Sequence, residues 1–260
     1  MNETSSWLGI VTGNSRLHWA LGRGTTLLQT WHSPHPSTPI AAGELEQWLP
    51  ANINLASETP LYLASVVGEQ TAYWQNLQQA REIALDRVPL RGAYPTFGID
   101  RALAVYGAGI ERGFPALVVD AGTALTLTGV NRDRELIGGA IWPGLSLQAR
   151  SLGTGTSALP EVLMNSLSAE LPPRWARSTE VAIRSGILYA VAAGVGEAIA
   201  DWWQHYPSAT VVLTGGDASS VHAMLCSRSP ELAAQLAIDR DLVLRGLAHI
   251  VGNESAATPP

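Results

Sequence analysis

A chain of 260 residues with 46% hydrophobic content can form one large domain or two of ordinary size, each with a substantial core. Its net charge of −6 argues against a nucleic-acid partner, which requires a basic surface, but leaves room for a small anionic substrate held by local arginines. The one cysteine, Cys226, excludes an internal disulfide framework and a cysteine-based zinc cluster, and reads as apolar filler.

Residues 1–6 carry neither a basic nor an apolar signal-peptide region. No stretch reaches the roughly 18 uninterrupted apolar residues of a spanning helix, so no membrane partner is expected and the cytoplasm is the default location. Residues 7–11 and 16–21 read as strands joined by the turn Thr12-Gly13-Asn14-Ser15, where Gly and Asn tolerate a tight reversal. Residues 25–31 form a third candidate strand, followed by a proline-rich loop at 33–39. The spacing of Leu45, Trp48 and Leu49 predicts a short helix over 43–49. A buried strand over 61–67, an amphipathic helix over 71–81 and a helix over 100–111 complete this half, with Asp100 in the first helical turn.

The pattern then starts again. Residues 116–119, 124–130 and 135–141 read as strands, with the turn Asp120-Ala121-Gly122-Thr123 between the first two. A proline-free, apolar run over 179–203 predicts a long buried helix, and residues 210–213 a strand ending at Thr214-Gly215-Gly216. The tail over 253–260 is polar, ends in Pro-Pro, and is expected to be disordered. Residues 10–17 align with residues 119–126 as strand, glycine turn, strand, which points to an internal repeat.

Glycine turns at strand ends let backbone N–H groups approach phosphate oxygens, and Ser15 and Thr123 add hydroxyls. Two such turns can hold a polyphosphate, with Thr214-Gly215-Gly216 on the nucleoside side. No G-x-x-x-x-G-K-[ST] is present, no G-x-G-x-x-G follows a strand, and no G-x-S-x-G occurs, which removes P-loop, Rossmann and simple hydrolase readings. Asp120, leaving a buried strand, is either a cation ligand or the cap of its own turn. In Gly98-Ile99-Asp100-Arg101, the carboxylate can accept a proton from an alcohol and the guanidinium can grip a carboxylate. The same pair also reads as a helix cap beside a surface charge. The six histidines show no ligand spacing, and the nine tryptophans read as core or interface mass.

Together these motifs resemble the type III pantothenate kinase family of the actin-like ATPase superfamily, which includes acetate and sugar kinases. Gly13-Asn14-Ser15 resembles the family's D-x-G-N-T turn, Gly98-Ile99-Asp100-Arg101 its G-x-D-R, and Asp120-Ala121-Gly122-Thr123 its D-x-G-T. Residues 138–144 match G-G-x-I-x-P-G, Ser178-Thr179 with Ser185-Gly186 resembles N-T…S-G, and Thr214-Gly215-Gly216 and Arg245-Gly246-Leu247 match the C-terminal pair. The order and approximate spacing hold from residue 8 to about residue 250.

The resemblance implies an α/β fold of two duplicated ribonuclease H-like domains, over 7–114 and 115–252, with a nucleotide cleft between them. It implies ATP-dependent phosphorylation of pantothenate to 4'-phosphopantothenate, the first step of coenzyme A synthesis. Asp100 becomes the proton acceptor. Tyr94, Gly98, Ile99, Asp100, Arg101 and Thr179 become the pantothenate site. Val11, Thr12, Gly13, Asn14, Ser15, Arg16, Leu17, His18 and Thr123 become the ATP site. Asp120 becomes the ligand of a monovalent cation, K+ or NH4+, beside a divalent cation, Mg2+. The family's homodimeric state fits the low charged content of 15%. One departure stands out: the family's first-motif Asp falls on Val11. That leaves two competing readings, a non-catalytic nucleotide-binding regulatory relative and a kinase for another small acceptor.

Overall fold

The computed structural model describes residues 6–257 except 42, 57, 76, 78–79 and 165–170. The chain divides into two compact units, residues 1–110 with 241–260, and residues 111–240. Each is built on a five-stranded mixed sheet.

In the first unit, β1 (Ser6–Thr12), β2 (Leu17–Arg23) and β3 (Thr26–Ser33) form an antiparallel meander. The chain then crosses to β4 (Leu61–Ser65), parallel to β1, and after α1 (Gly68–Gln75) to β5 (Ala80–Glu82), parallel to β4. The strand order is β3-β2-β1-β4-β5. Central β1 is buried along almost its whole length, which is why it reads as a continuous apolar run. One face of the sheet carries Leu8, Ile10, Leu17, Trp19, Leu61 and Leu63, packed with Trp74 of α1. There Trp19 stacks on Trp31 at 5.6 Å and meets the edge of Trp74 at 5.2 Å, so four of the nine tryptophans, with Trp48, are core mass.

Helix α2 (Ile99–Arg112) leads into the second unit, where β6 (Ala116–Ala121), β7 (Ala124–Val130) and β8 (Leu136–Pro143) form another meander. Helices α3 (Leu145–Gly155) and α4 (Thr179–His205) follow, then β9 (Thr210–Thr214), parallel to β6. Helices α5 (Ala218–Arg228) and α6 (Pro230–Ala233) lead to β10 (Ala237–Ile238), parallel to β9. The order β10-β9-β6-β7-β8 is the first sheet's order with the same strand directions. The repeat read from residues 10–17 and 119–126 is therefore a duplication of a whole ribonuclease H-like topology.

Helix α4 is long and apolar enough to cross a membrane by length and composition. Its Ile183, Ile187, Leu188, Val191, Val195 and Ile199 instead build the core of the second unit, against Leu125, Leu127 and Leu213.

Helix α7 (Leu242–Ala257) returns to the first unit and packs on β1, β2 and β3. It crosses α2 where Gly107 meets Gly246. A Cβ on Gly107 would lie 2.9 Å from Gly246 N, and one on Gly246 would strike the Leu103 backbone. The second domain thus ends near residue 240, not 252 as expected, because residues 242–252 complete the first unit's core with Leu242, Leu247 and Val251.

Three other local expectations differ. The helix over 71–81 stops at Gln75, because the chain turns at Leu77 and residues 80–82 gain the backbone partners of β4. The helix over 43–49 is one 3-10 turn, Leu45–Trp48. The tail is helical through Ala257, since each added residue extends an existing ladder and Ala256 and Ala257 are strong helix formers; residues 258–260 lie outside the described residues.

Candidate active site

Both glycine turns sit at the C-terminal ends of central strands, where parallel α/β sheets present their ligand sites. Each is closed by its glycine N–H: Gly13 N–H donates to Arg16 O at 3.1 Å, and Gly122 N–H, in a turn one residue shorter, to Ala124 O at 3.2 Å. Those two N–H groups are thus engaged inside the hairpins. In the first turn Asn14, Ser15 and Arg16 are exposed, whereas Val11 and Leu17 are buried and can meet a ligand only through backbone. Thr12 is fully buried, its Oγ1 without a protein partner. His18 sits opposite Val11 in the β1–β2 register, and a Cβ on Gly13 would stand 3.6 Å from His18 Nε2.

The Gly98–Arg101 segment lies at the same end of the first sheet. Val66, following β4, donates its N–H to Thr12 O at 3.2 Å, and its Cγ1 would stand 3.8 Å from a Cβ on Gly98. Asp100 occupies the first turn of α2, and its Oδ1 accepts the Arg101 N–H at 2.7 Å. Burial pushes the Asp100 carboxyl above its ordinary range, with the Arg101 N–H and guanidinium opposing that shift. A Cβ on Gly98 would lie 2.5 Å from Asp100 Oδ1, so the carboxylate keeps this position only beside a residue without a side chain. Ile99 points into the core at 6% exposure, so only its backbone can face a substrate.

Arg101 is buried, its guanidinium 4.9 Å from the Phe97 ring centroid and donating from Nη1 to Tyr94 Oη at 3.2 Å. Tyr94 packs on Phe97 at 5.3 Å and remains largely exposed. The structure therefore gathers Tyr94, Gly98, Asp100 and Arg101 into one cluster. Phe97, which aligns Arg101, was not legible in the sequence because its role depends on ring geometry.

In the second unit, Asp120 pairs with Thr214 across β6 and β9. Its Oδ1 would stand 3.4 Å from a Cβ on Gly122, and a Cβ on Gly215 (φ 89°) would collide with it. Neither glycine places a Cβ against the carboxylate. Gly144 fits against the same turn: its N–H donates to Thr123 O at 3.0 Å, and a Cβ there would strike Gly122 O. That contact explains a Pro-Gly at the end of β8. Thr123 and Thr179 are exposed, the first on the turn and the second at the first position of α4.

The sequence model of the type III pantothenate kinase family matches residues 7–201. The chain belongs to the type III pantothenate kinase family. A type III pantothenate kinase of Synechocystis sp. is 46% identical over 249 residues, covering 96% of this chain and 91% of its own length. One from Nostoc sp. is 41% identical over 266 residues, covering 95% of each chain. Among solved structures, the 2-hydroxyisocaproyl-CoA dehydratase activator of Clostridium difficile superposes with a TM-score of 0.53 at 10% identity, covering 97% of this chain and 96% of its own. Component A of the (R)-2-hydroxyglutaryl-CoA dehydratase of Acidaminococcus fermentans gives 0.55 at 11%, covering 96% and 99%. These distant structures support the actin-like ATPase fold alone. The two kinases are similar to this chain over nearly its whole length.

Proposed function

We propose that the chain transfers the terminal phosphoryl group of ATP to the hydroxyl of pantothenate, giving ADP and 4'-phosphopantothenate, with Asp100 as the proton acceptor. The observation that carries this reading is the Asp100 carboxyl: held by the Arg101 N–H, kept clear by Gly98, and raised in basicity by burial. A base of raised pKa takes the hydroxyl proton more effectively as the new O–P bond forms. Arg101, aligned by Phe97 and Tyr94, supplies the fork for the pantothenate carboxylate, and Thr179 supplies a further hydroxyl contact.

Asn14, Ser15, Arg16 and Thr123 contact the nucleotide phosphates, through side chains and turn backbone. Asp120 presents a hard oxygen donor that suits K+ or NH4+, which would neutralise charge beside the phosphates. Among the described residues no group of three His, Cys, Asp or Glu side chains could hold a metal. A divalent cation such as Mg2+ would come bound to the phosphates of ATP and would supply charge neutralisation there. The exposed Ile137 and Ile141 of edge strand β8, with Leu147 of α3, support a homodimer. The family's biosynthetic role supports a cytoplasmic location.

Valine at position 11 favours a second reading, a nucleotide-binding relative without turnover, since it leaves no carboxylate at the first turn. A coupled ADP-release assay separates the two, run with and without pantothenate and potassium on wild type and Asp100→Asn. Pantothenate-dependent ADP release that is lost in Asp100→Asn supports the kinase. ATP binding without such release supports the regulatory reading.

A further inference from the structure

Val11, His18 and His32 are successive cross-strand partners on β1, β2 and β3, so their side chains share one face of the sheet. The His18 and His32 rings meet edge-on at 4.7 Å. The inner edge of this row reaches the first glycine turn, with His18 Nε2 and Cδ2 3.6 and 3.8 Å from a Cβ position on Gly13. Arg16 faces both imidazoles from the turn, and Asp241 faces His32 from the start of α7. On the other side His35 Nε2–H donates to Gly13 O at 2.9 Å and fixes the turn's carbonyl. This is a compact cationic and imidazole cluster behind an exposed phosphate-type turn, with an apolar residue, Val11, where its innermost strand could have placed a fixed anion.

We propose that His18 and His32 are positioning residues that act as a proton-accepting pair: neutral without ligand, they take up a proton when a nucleoside triphosphate occupies the Gly13 turn. The inference rests on reading that turn as a phosphate site, and it names the charge compensation the site uses. Burial, His32 and Arg16 hold His18 down at about 4. His32 is exposed, and partial desolvation and Arg16 also lower it, with Asp241 opposing. Both imidazoles are thus uncharged near pH 7 in the free protein. A polyphosphate placed beside the turn reverses the local field and favours the imidazolium. With no carboxylate at position 11, that ligand is the anion nearest His18 on β1 and the turn. Uptake of a proton on binding means that affinity rises as pH falls, by at most about tenfold per pH unit between the free and bound pKa values.

Calorimetric titration of ATP with Mg2+, without pantothenate, at pH 6.5 in buffers of different ionisation heat counts the protons taken up. The nucleotide's own ionisation is common to all variants and drops out of differences between them. Wild type and the control His205→Gln, on α4 of the other unit, take up more protons than His18→Gln. Val11→Asp places a carboxylate opposite His18, charges the pair in advance and removes the extra proton uptake per ATP bound. Equal proton counts for wild type, His18→Gln and Val11→Asp overturn the proton-accepting pair but leave the phosphate site standing. Failure of wild type to bind ATP overturns the phosphate site as well. NMR of the wild-type His18 ring needs no variant: on ATP addition it moves toward the imidazolium position, and a ring that stays neutral refutes the inference.

Discussion

Gly98→Ala adds one methyl group, changes no charged residue, and should nevertheless disable the enzyme. The added Cβ would lie 2.5 Å from Asp100 Oδ1, against an ordinary carbon–oxygen contact of about 3.4 Å. Val66 Cγ1, 3.8 Å from the same position, limits retreat on that side. The carboxylate must therefore move by roughly 1 Å, which breaks its 2.7 Å hydrogen bond from Arg101 N–H and takes the base out of line with the hydroxyl. A displacement of that size costs about 10²-fold in turnover, or about 2.7 kcal/mol of transition-state stabilisation. Steady-state ADP release at saturating ATP and pantothenate measures it, with KM for ATP as the internal control. A kcat about a hundredfold down with an unchanged ATP KM is expected. Turnover within threefold of wild type would show that Asp100 is not held where the reaction needs it.

Asp100→Asn should lower kcat by about 10²–10⁴-fold. The same change should raise thermal stability at pH 8, because burial raises the folded-state pKa of Asp100 and its ionised form costs stability above that pKa. Melting curves of the two proteins should converge below the unfolded carboxylate pKa; a destabilised Asp100→Asn at pH 8 would contradict the burial argument. In wild type, kcat/KM should fall as pH drops through the raised Asp100 pKa, and a profile flat well into the acid range would exclude it as the base. Gly246→Ala should lower the melting temperature: helix propensity favours alanine by about 1 kcal/mol, but the methyl group strikes the Leu103 backbone, and such overpacking costs about 1–3 kcal/mol or more. Asp120→Asn should abolish stimulation by potassium while leaving the melting curve close to wild type, and stimulation that persists would place the cation elsewhere.

The duplication was legible because it rests on local signals. An apolar strand, a glycine turn and a second strand recur, and each forms where residues 7–21 and 116–130 predict. The Gly98–Arg101 cluster was legible as a motif, and its geometry explains the residue types: Gly98 for clearance, Asp100 for the base, and Ile99 turned into the core. What escaped depended on distant contacts. Strand β5 exists because β4 offers it a backbone ladder, and nothing in the local pattern of residues 80–82 states that. The return of α7 to the first unit is encoded in Gly107 and Gly246, which are meaningful only as a pair. The histidine row behind the first turn escaped for the same reason, since His18 and His32 lie 14 positions apart and meet only through the β2–β3 register.

The central claim is that this chain phosphorylates pantothenate, and detection of the product tests it most directly. Purified protein incubated with ATP, Mg2+, potassium and pantothenate should yield 4'-phosphopantothenate by mass spectrometry, in a one-to-one ratio with ADP, and Asp100→Asn should yield almost none. ADP without 4'-phosphopantothenate, or neither product from folded protein that binds ATP, would contradict the account.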